Sequence, residues 1–228
     1  MDTRPLIGLI RVLTVDDPEA LGVHGRIIEG HFPGLRVLSR CIPDQPEGIH
    51  DDLTQQTAEP KIVDLAEEMA SHVDAIVVTC CADPAVPEMR RRLRIPVIGA
   101  GSAVASLARA YSHKVCVVGL SAEPPRVVTE ILGPALVGSV APEGVRIAPD
   151  LVTPAGKRGV LDVAARAKEM GAGAIALACG AMATAGVAPL IAREYGIPTV
   201  DPVVACGLFA WHALAVAAHA SAGRESLG

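Results

Sequence analysis

The sequence predicts an α/β fold of two similar lobes, each a parallel sheet flanked by helices, related by a pseudo-two-fold axis with a cleft between them. Three observations lead there. Short, continuous apolar runs of strand length alternate with longer helical patterns along the chain. Half of the 228 residues are hydrophobic, enough for one large α/β domain or two lobes of roughly 100 residues each. A strand–Cys–turn–helix–Ile-Pro–strand unit occurs twice, at 74–98 and at 173–200.

Residues 6–10 (LIGLI) read as the first strand and 35–39 (LRVLS) as the second. Residues 75–79 (AIVVT) and 96–98 (PVI) complete one set. The second set is 114–118 (KVCVV), 144–147 (GVRI), 174–178 (AIALA) and 198–200 (PTV). Unbroken apolar runs of this length fit parallel strands covered on both faces better than half-exposed ones. Helical patterns lie between them at 61–72, 85–92, 102–111, 158–170 and 187–195. The Ala-rich stretch 203–220 reads as a buried C-terminal helix; it carries His212 and His219 and lacks the Leu, Ile and Phe density of a membrane span. The lobes are expected to divide as 1–98 plus 203–228 and 99–202.

Composition excludes several classes. Disorder does not fit an apolar half. With 25 acidic against 20 basic residues and five aromatics (Phe32, Tyr111, Tyr195, Phe209 and Trp211), no nucleic-acid partner is expected. The run Arg90, Arg91, Arg92 and Arg94 is the one basic cluster, and a solvated helix end explains it. The first residues pass straight into a strand without an apolar leader. Six cysteines, at 41, 80, 81, 116, 179 and 206, therefore read as thiols, and a cytoplasmic location is expected. A homo-oligomer is compatible with this composition, which leaves the assembly state open.

The doubled unit carries the chemistry. Cys80 precedes Ile95 by 15 residues and Cys179 precedes Ile197 by 18, each at the C-terminal end of a strand. Ligands of open parallel sheets sit at that edge. Two lobes related by a two-fold axis would turn these thiols toward each other, making the cleft between them the active site. Inverting a carbon stereocentre needs a base on one face and an acid on the other, and a thiol serves in either role. The small residues that follow, Cys81-Ala82 and Gly180-Ala181, lead toward helices whose backbone N–H groups suit a carboxylate or enolate oxygen. The partner expected is a small molecule. No cofactor is expected, since no pyridoxal lysine stands out among residues 61, 114, 157 and 168, and the seven histidines show no metal-ligand spacing. His24, His31 and His50 read as loop residues.

At these segments the chain resembles the aspartate/glutamate/hydantoin racemase superfamily. The resemblance covers most of the chain. It is strongest at Asp74–Pro84 (DAIVVTCCADP), 95–99 (IPVIG), 178–182 (ACGAM) and 197–202 (IPTVDP). The Cys-x-x-Asp-Pro spacing and the Cys-Gly-Ala-Met segment look most like the hydantoin and allantoin racemase branch. The resemblance implies a cofactor-independent enzyme with Cys80 and Cys179 as catalytic thiols, and a C-terminal helix that returns to the first lobe. Two departures bear on substrate. Cys80-Cys81-Ala82 and Cys179-Gly180-Ala181 replace the Cys-Asn-Thr and Cys-Thr-His of the acidic amino-acid racemases. Residues 10–14 (IRVLT) replace the Asn-Pro-Asn turn of hydantoin racemases, making Arg11 and Thr14 substrate-contact candidates. Arg11 either binds a substrate carboxylate or forms a salt bridge at the cleft rim.

Other residues are weighed in the same way. Ser121 ends a strand on the ligand edge and is a further contact candidate. Cys81 is expected to turn away from Cys80, and Cys116 and Cys206 to lie in the core; Cys41 has no assigned place. Gly99-Ala100-Gly101-Ser102 looks like a phosphate loop but lacks its lysine, so a crossing between lobes is preferred. Asp83 and Asp201, each before a proline, are read as turn caps. The rival functions are a maleate isomerase or arylmalonate decarboxylase-like enzyme of the same superfamily, and a non-catalytic small-molecule binding protein.

Overall fold

Strand pairing divides the computed structural model into two sheets of the same design; residues 2–225 are described, with side chains to residue 218. The first sheet runs β2 (Arg36–Cys41), β1 (Leu6–Arg11), β3 (Ala75–Val78), β4 (Val97–Gly99). The second runs β6 (Leu136–Val140), β5 (Val115–Val118), β7 (Ala174–Leu177), β8 (Thr199–Val200). Every pairing is parallel. In the centre of each sheet the registers match, with Ile7–Ile10 set against Ala75–Val78 and Val115–Val118 against Ala174–Leu177. The doubled sequence unit is thus a doubled sheet.

Helices connect the strands, and several start where side chains satisfy their free N–H groups. Asp17 accepts from Glu19 and Ala20 to open α1 (Pro18–His31), with proline at its first position. Asp51 and Thr54 form a reciprocal capping box on α2 (Asp52–Met69). Helices α3 (Val86–Arg92) and α4 (Ala100–Tyr111) flank β4, and α4 carries the chain across to the second sheet. In the second half follow α5 (Arg126–Leu132), α6 (Ala148–Leu151), α7 (Pro154–Glu169), α8 (Gly180–Ala185) and α9 (Ala188–Tyr195). Asp201 accepts from Val203 and Val204 to start α10 (Pro202–Glu225).

Packing follows from strand alternation. Ile7, Leu9, Ala75 and Val77 face a cluster shared with Val115, Val117, Ala174 and Ala176 of the second sheet, with α4 and α10 filling the space between. Ile10, Ile76 and Val78 face the outer helices of the first sheet, and Cys116, Ile175 and Leu177 those of the second. Burying strands on both sides is what their unbroken apolar sequence requires. Helix α10 packs chiefly on α4 and α1 and also touches β3, β4 and α8. Val203, Ala205, Cys206, Ala210 and Leu214 are buried, while Phe209, Trp211 and Val216 are exposed, so this helix is one-sided rather than wholly buried. No helix among the described residues is long and apolar enough to cross a membrane.

The structure corrects several expectations. Residues 144–147 form no strand. Gly144 turns the chain at φ +75°, and the Asp150 carboxylate takes the N–H groups of Arg146 and Ile147 as the chain enters α6. The fourth strand of that sheet is instead β6, a half-buried edge whose LVGSV sequence lacks a strong apolar signal. The N-terminal histidines 24 and 31 are not loop residues: both lie in α1, whereas His50 does precede a helix. Cys116 and Cys206 are core residues, as expected.

Candidate active site

Each sheet delivers a cysteine two residues past the end of its equivalent central strand: Cys80 after β3 and Cys179 after β7. Both line one cleft of about 1760 Å³ between the lobes, above the roughly 300–1,000 Å³ of ordinary small-molecule pockets. Arg11, Thr14, Cys81, Ala82, Ser121, Gly180 and Ala181 also line it.

The Cys80 side is a tight turn. Thr79 donates its N–H and its hydroxyl to Ile10 O, tying β3 to β1. Asp83 donates its N–H to Cys80 O, and the chain then passes through positive φ at Asp83 and Ala85 (51° and 57°), uncommon for residues with a side chain. The Asp83 carboxylate holds that conformation. It accepts from Gly101 N at 2.6 Å, Ser102 N at 2.9 Å and Ser102 Oγ at 2.6 Å, and so caps α4 from another element. These N–H groups of the Gly99–Ser102 segment are therefore occupied by the protein's own anion, which leaves no phosphate loop there. Burial pushes the Asp83 carboxyl up, and the Ser102 and Gly101 hydrogen bonds oppose that shift. Because Asp83 and Cys80 belong to one turn, α4 sets where Cys80 stands.

The Cys179 side starts a helix. Cys179 is the residue before α8; Met182 donates its N–H to Cys179 O at 3.0 Å, and the backbone of Ala181 and Met182 favours charge on the Cys179 sulfur. Gly180 has no room for a side chain, since a Cβ there would lie 2.9 Å from both His24 Cε1 and Thr79 O. His24 comes from α1 of the other lobe and is 1 % exposed. Its Nε2 lies 3.0 Å from Gly180 O and 3.1 Å from Thr184 Oγ1; a carbonyl only accepts, so Nε2 carries the proton. Burial holds this imidazole neutral, its pKa lowered to about 3 with the charge of Arg11 adding to the effect, and its Nδ1 has no hydrogen-bond partner.

Burial raises both thiols. Cys80 is pushed up to about 12, opposed by the Ala82 N–H. Cys179 is pushed up to about 11, opposed by the Ala181 N–H, by Arg11 and by the Met182 N–H. Negative charge on Cys179 raises Cys80 further, so the two sulfurs sense each other across the cleft. Cys80 keeps partial contact with cleft solvent and Cys179 is 8 % exposed. The thiol at Cys179 is thus the easier of the two to ionise.

The remaining candidates divide. Arg11, at the end of β1, is 8 % exposed and donates to Ala20 O at 3.1 Å; among the described residues it forms no salt bridge, so the rim salt bridge expected as one option is not found. The Thr14 hydroxyl is engaged inside its own turn, donating to Ile42 O and accepting from Gln45 N. Cys81 turns its sulfur to Leu177 O in the shared core. Ser121 is exposed on the cleft wall and donates to Glu123 O. Cys41 pairs with the Val15 backbone. Arg92 binds Glu67 and Glu88 on the surface, as a solvated helix end would. No group of three His, Cys, Asp or Glu side chains suited to a metal occurs among the described residues. Sequence reading missed His24. The spacing Leu21–His24–Ile28 places it on the inward face of an amphipathic helix, the signal that would have found it.

Comparison with known proteins agrees with this architecture. Allantoin racemase from Klebsiella pneumoniae superposes with a TM-score of 0.78 at 24% identity, covering 93% of this chain and 89% of that one. Allantoin racemase from Pseudomonas fluorescens gives 0.76 at 19% identity, with 93% and 92% covered. A maleate isomerase from Pseudomonas putida gives 0.67 at 13% identity, with 92% of each chain covered. At these identities the likenesses establish the fold. No curated protein sequence matches the chain. The family model for Asp/Glu/hydantoin racemases matches residues 24–206, a span that contains both cleft cysteines and every strand except β1. The chain belongs to the Asp/Glu/hydantoin racemase family and is an isomerase of the racemase kind.

Proposed function

We propose that this protein is a cofactor-independent racemase or epimerase of an amino acid or an amino-acid derivative of the hydantoin type, working by proton transfer at Cα between Cys80 and Cys179. The observation that carries this reading is the matched placement of two thiols, each two residues past an equivalent strand and both lining one cleft. One cysteine, as thiolate, takes the Cα proton and becomes a thiol. The other, as thiol, gives its proton to the opposite face of the planar carbanion and becomes a thiolate. The reverse reaction exchanges the roles. Arg11 and the backbone of Ala181 and Met182 favour charge on Cys179, so its thiolate is the less costly of the two to form. Burial makes thiolates scarce in the free enzyme, and it also makes each thiolate a stronger base toward a weak carbon acid. Backbone N–H groups of the two cysteine turns would stabilise charge on an enolate-like intermediate.

Solvent exchange tests this. The protein is incubated in D2O with 5-substituted hydantoins, allantoin, aspartate, glutamate and neutral amino acids, and Cα protons are followed by NMR. Exchange is expected with at least one compound, abolished or restricted to one enantiomer in Cys80→Ala and Cys179→Ala. Folded wild-type protein that exchanges none of them sinks the racemase reading and favours isomerisation of unsaturated diacids, decarboxylation or binding.

A further inference from the structure

The cleft contains a positive charge that the described protein does not neutralise. Arg11 is nine-tenths buried, lines the cavity, and uses one of its five N–H donors in the bond to Ala20 O. Among the described residues it has no acidic partner. Of the carboxylates lining the cleft, Asp83 is engaged with α4, Glu88 with Arg92, Glu130 with Arg126, Asp51 with Thr54 and Glu59 with Gln55, and neither Asp52 nor Glu123 forms an ion pair with Arg11. His24, its neutral neighbour, directs its one N–H to Gly180. A guanidinium taken out of water without a counter-charge is unfavourable, and its planar fork of free donors matches a carboxylate in shape and charge. Arg11 is also within electrostatic reach of Cys179, and hence of the position where a reacting carbon would lie.

We infer that Arg11 forms an anion subsite in the cleft and that the substrate presents a carboxylate to it, as an open-chain amino acid or an N-substituted amino acid does and an uncharged hydantoin ring does not. This deepens the racemase reading by naming its substrate class. The counter-charge that no described residue supplies arrives with the substrate, and binding it offsets the unfavourable burial of the arginine.

Two alkylating reagents read the subsite without any turnover. With iodoacetate or iodoacetamide, the Cys179 thiolate attacks the CH2 carbon, an S–C bond forms and iodide leaves. The reagents differ only in carboxylate against amide. Their rate ratio at Cys179, measured by peptide mass spectrometry and divided by the ratio for glutathione in the same solution, therefore cancels thiolate population. The expected ratio is at least tenfold above that of glutathione in the wild type, retained in part in Arg11→Lys and reduced to the glutathione value in Arg11→Gln. A wild-type ratio no higher than that of glutathione, or one unchanged in a folded Arg11→Gln, overturns the inference. A second measurement needs the wild type alone: N-carbamoyl-alanine is expected to protect Cys179 from iodoacetamide at concentrations where 5-methylhydantoin does not. Equal protection by the two, or protection by the ring alone, overturns it. The two readings fail separately. Deuterium exchange confined to neutral rings removes the carboxylate subsite and leaves the racemase, whereas a high ratio with no exchange leaves the subsite and removes the racemase.

Discussion

Replacing His24 tests how the first lobe positions the second lobe's cysteine. The imidazole spans the two halves, from α1 to Gly180 O and Thr184 Oγ1, and is buried and neutral. His24→Leu leaves that carbonyl and hydroxyl without a donor, which costs about 1–3 kcal/mol. His24→Gln retains an N–H near the Nε2 position and is expected to recover part of it. The pH dependence isolates the ring. The unfolded chain protonates His24 near 6.5 and the folded chain near 3, so between those values the unfolded state holds the extra proton. Stability is complete above 6.5 and falls as the pH drops toward 3. At pH 5 the difference is about 1.5 pH units below 6.5, which corresponds to about 2 kcal/mol. Urea denaturation at pH 7 and pH 5 measures it, since the other six histidines are common to both proteins and cancel. Wild type is expected to lose about 2 kcal/mol more than His24→Gln on going from pH 7 to pH 5. Equal losses would refute the claim that His24 is buried neutral. A His24→Leu protein as stable at pH 7 as the wild type would refute the bond to Gly180.

Two more predictions rest on the cysteine turns. Iodoacetamide labelling of both cleft thiols is expected to rise about tenfold per pH unit from pH 7 to pH 10 without a plateau, Cys179 ahead of Cys80, because burial raises them to about 11 and about 12; a plateau near pH 8.5 would show ordinary exposed thiols. Gly101→Ala places a Cβ 2.1 Å from Cys81 O and is expected to cost about 1–3 kcal/mol while displacing the Cys80 turn and lowering exchange activity. The control, Gly30→Ala in α1, meets nothing within 4 Å and is expected to stabilise by about 0.5–1 kcal/mol, so equal effects of the two would refute the close approach of α4 to that turn.

Strand identity was readable in this sequence wherever strands are buried on both faces, because burial demands an unbroken apolar run: Ala75–Val78, Val115–Val118 and Ala174–Leu177 all satisfy it. The edge strand Leu136–Val140 was not readable, because a half-buried edge relaxes that demand and its Gly-Ser interior carries little signal. The repeat of strand, cysteine and Ile-Pro determined that the chain has two equivalent halves, and the parallel-sheet rule then put both cysteines on the ligand edge. Local spacing alone could go no further. Across a gap of 156 residues, only the packing of α1 on α8 brings His24 to Gly180, and only the approach of α4 to the Cys80 turn turns the Gly99–Ser102 segment into a socket for Asp83. Whether Arg11 has a carboxylate partner likewise depends on which side chains surround it in space. The sequence by itself determined the strands and the pair of thiols, since burial and repetition leave local patterns. Tertiary structure decided their electrostatics and support, since those depend on contacts between residues far apart in the chain.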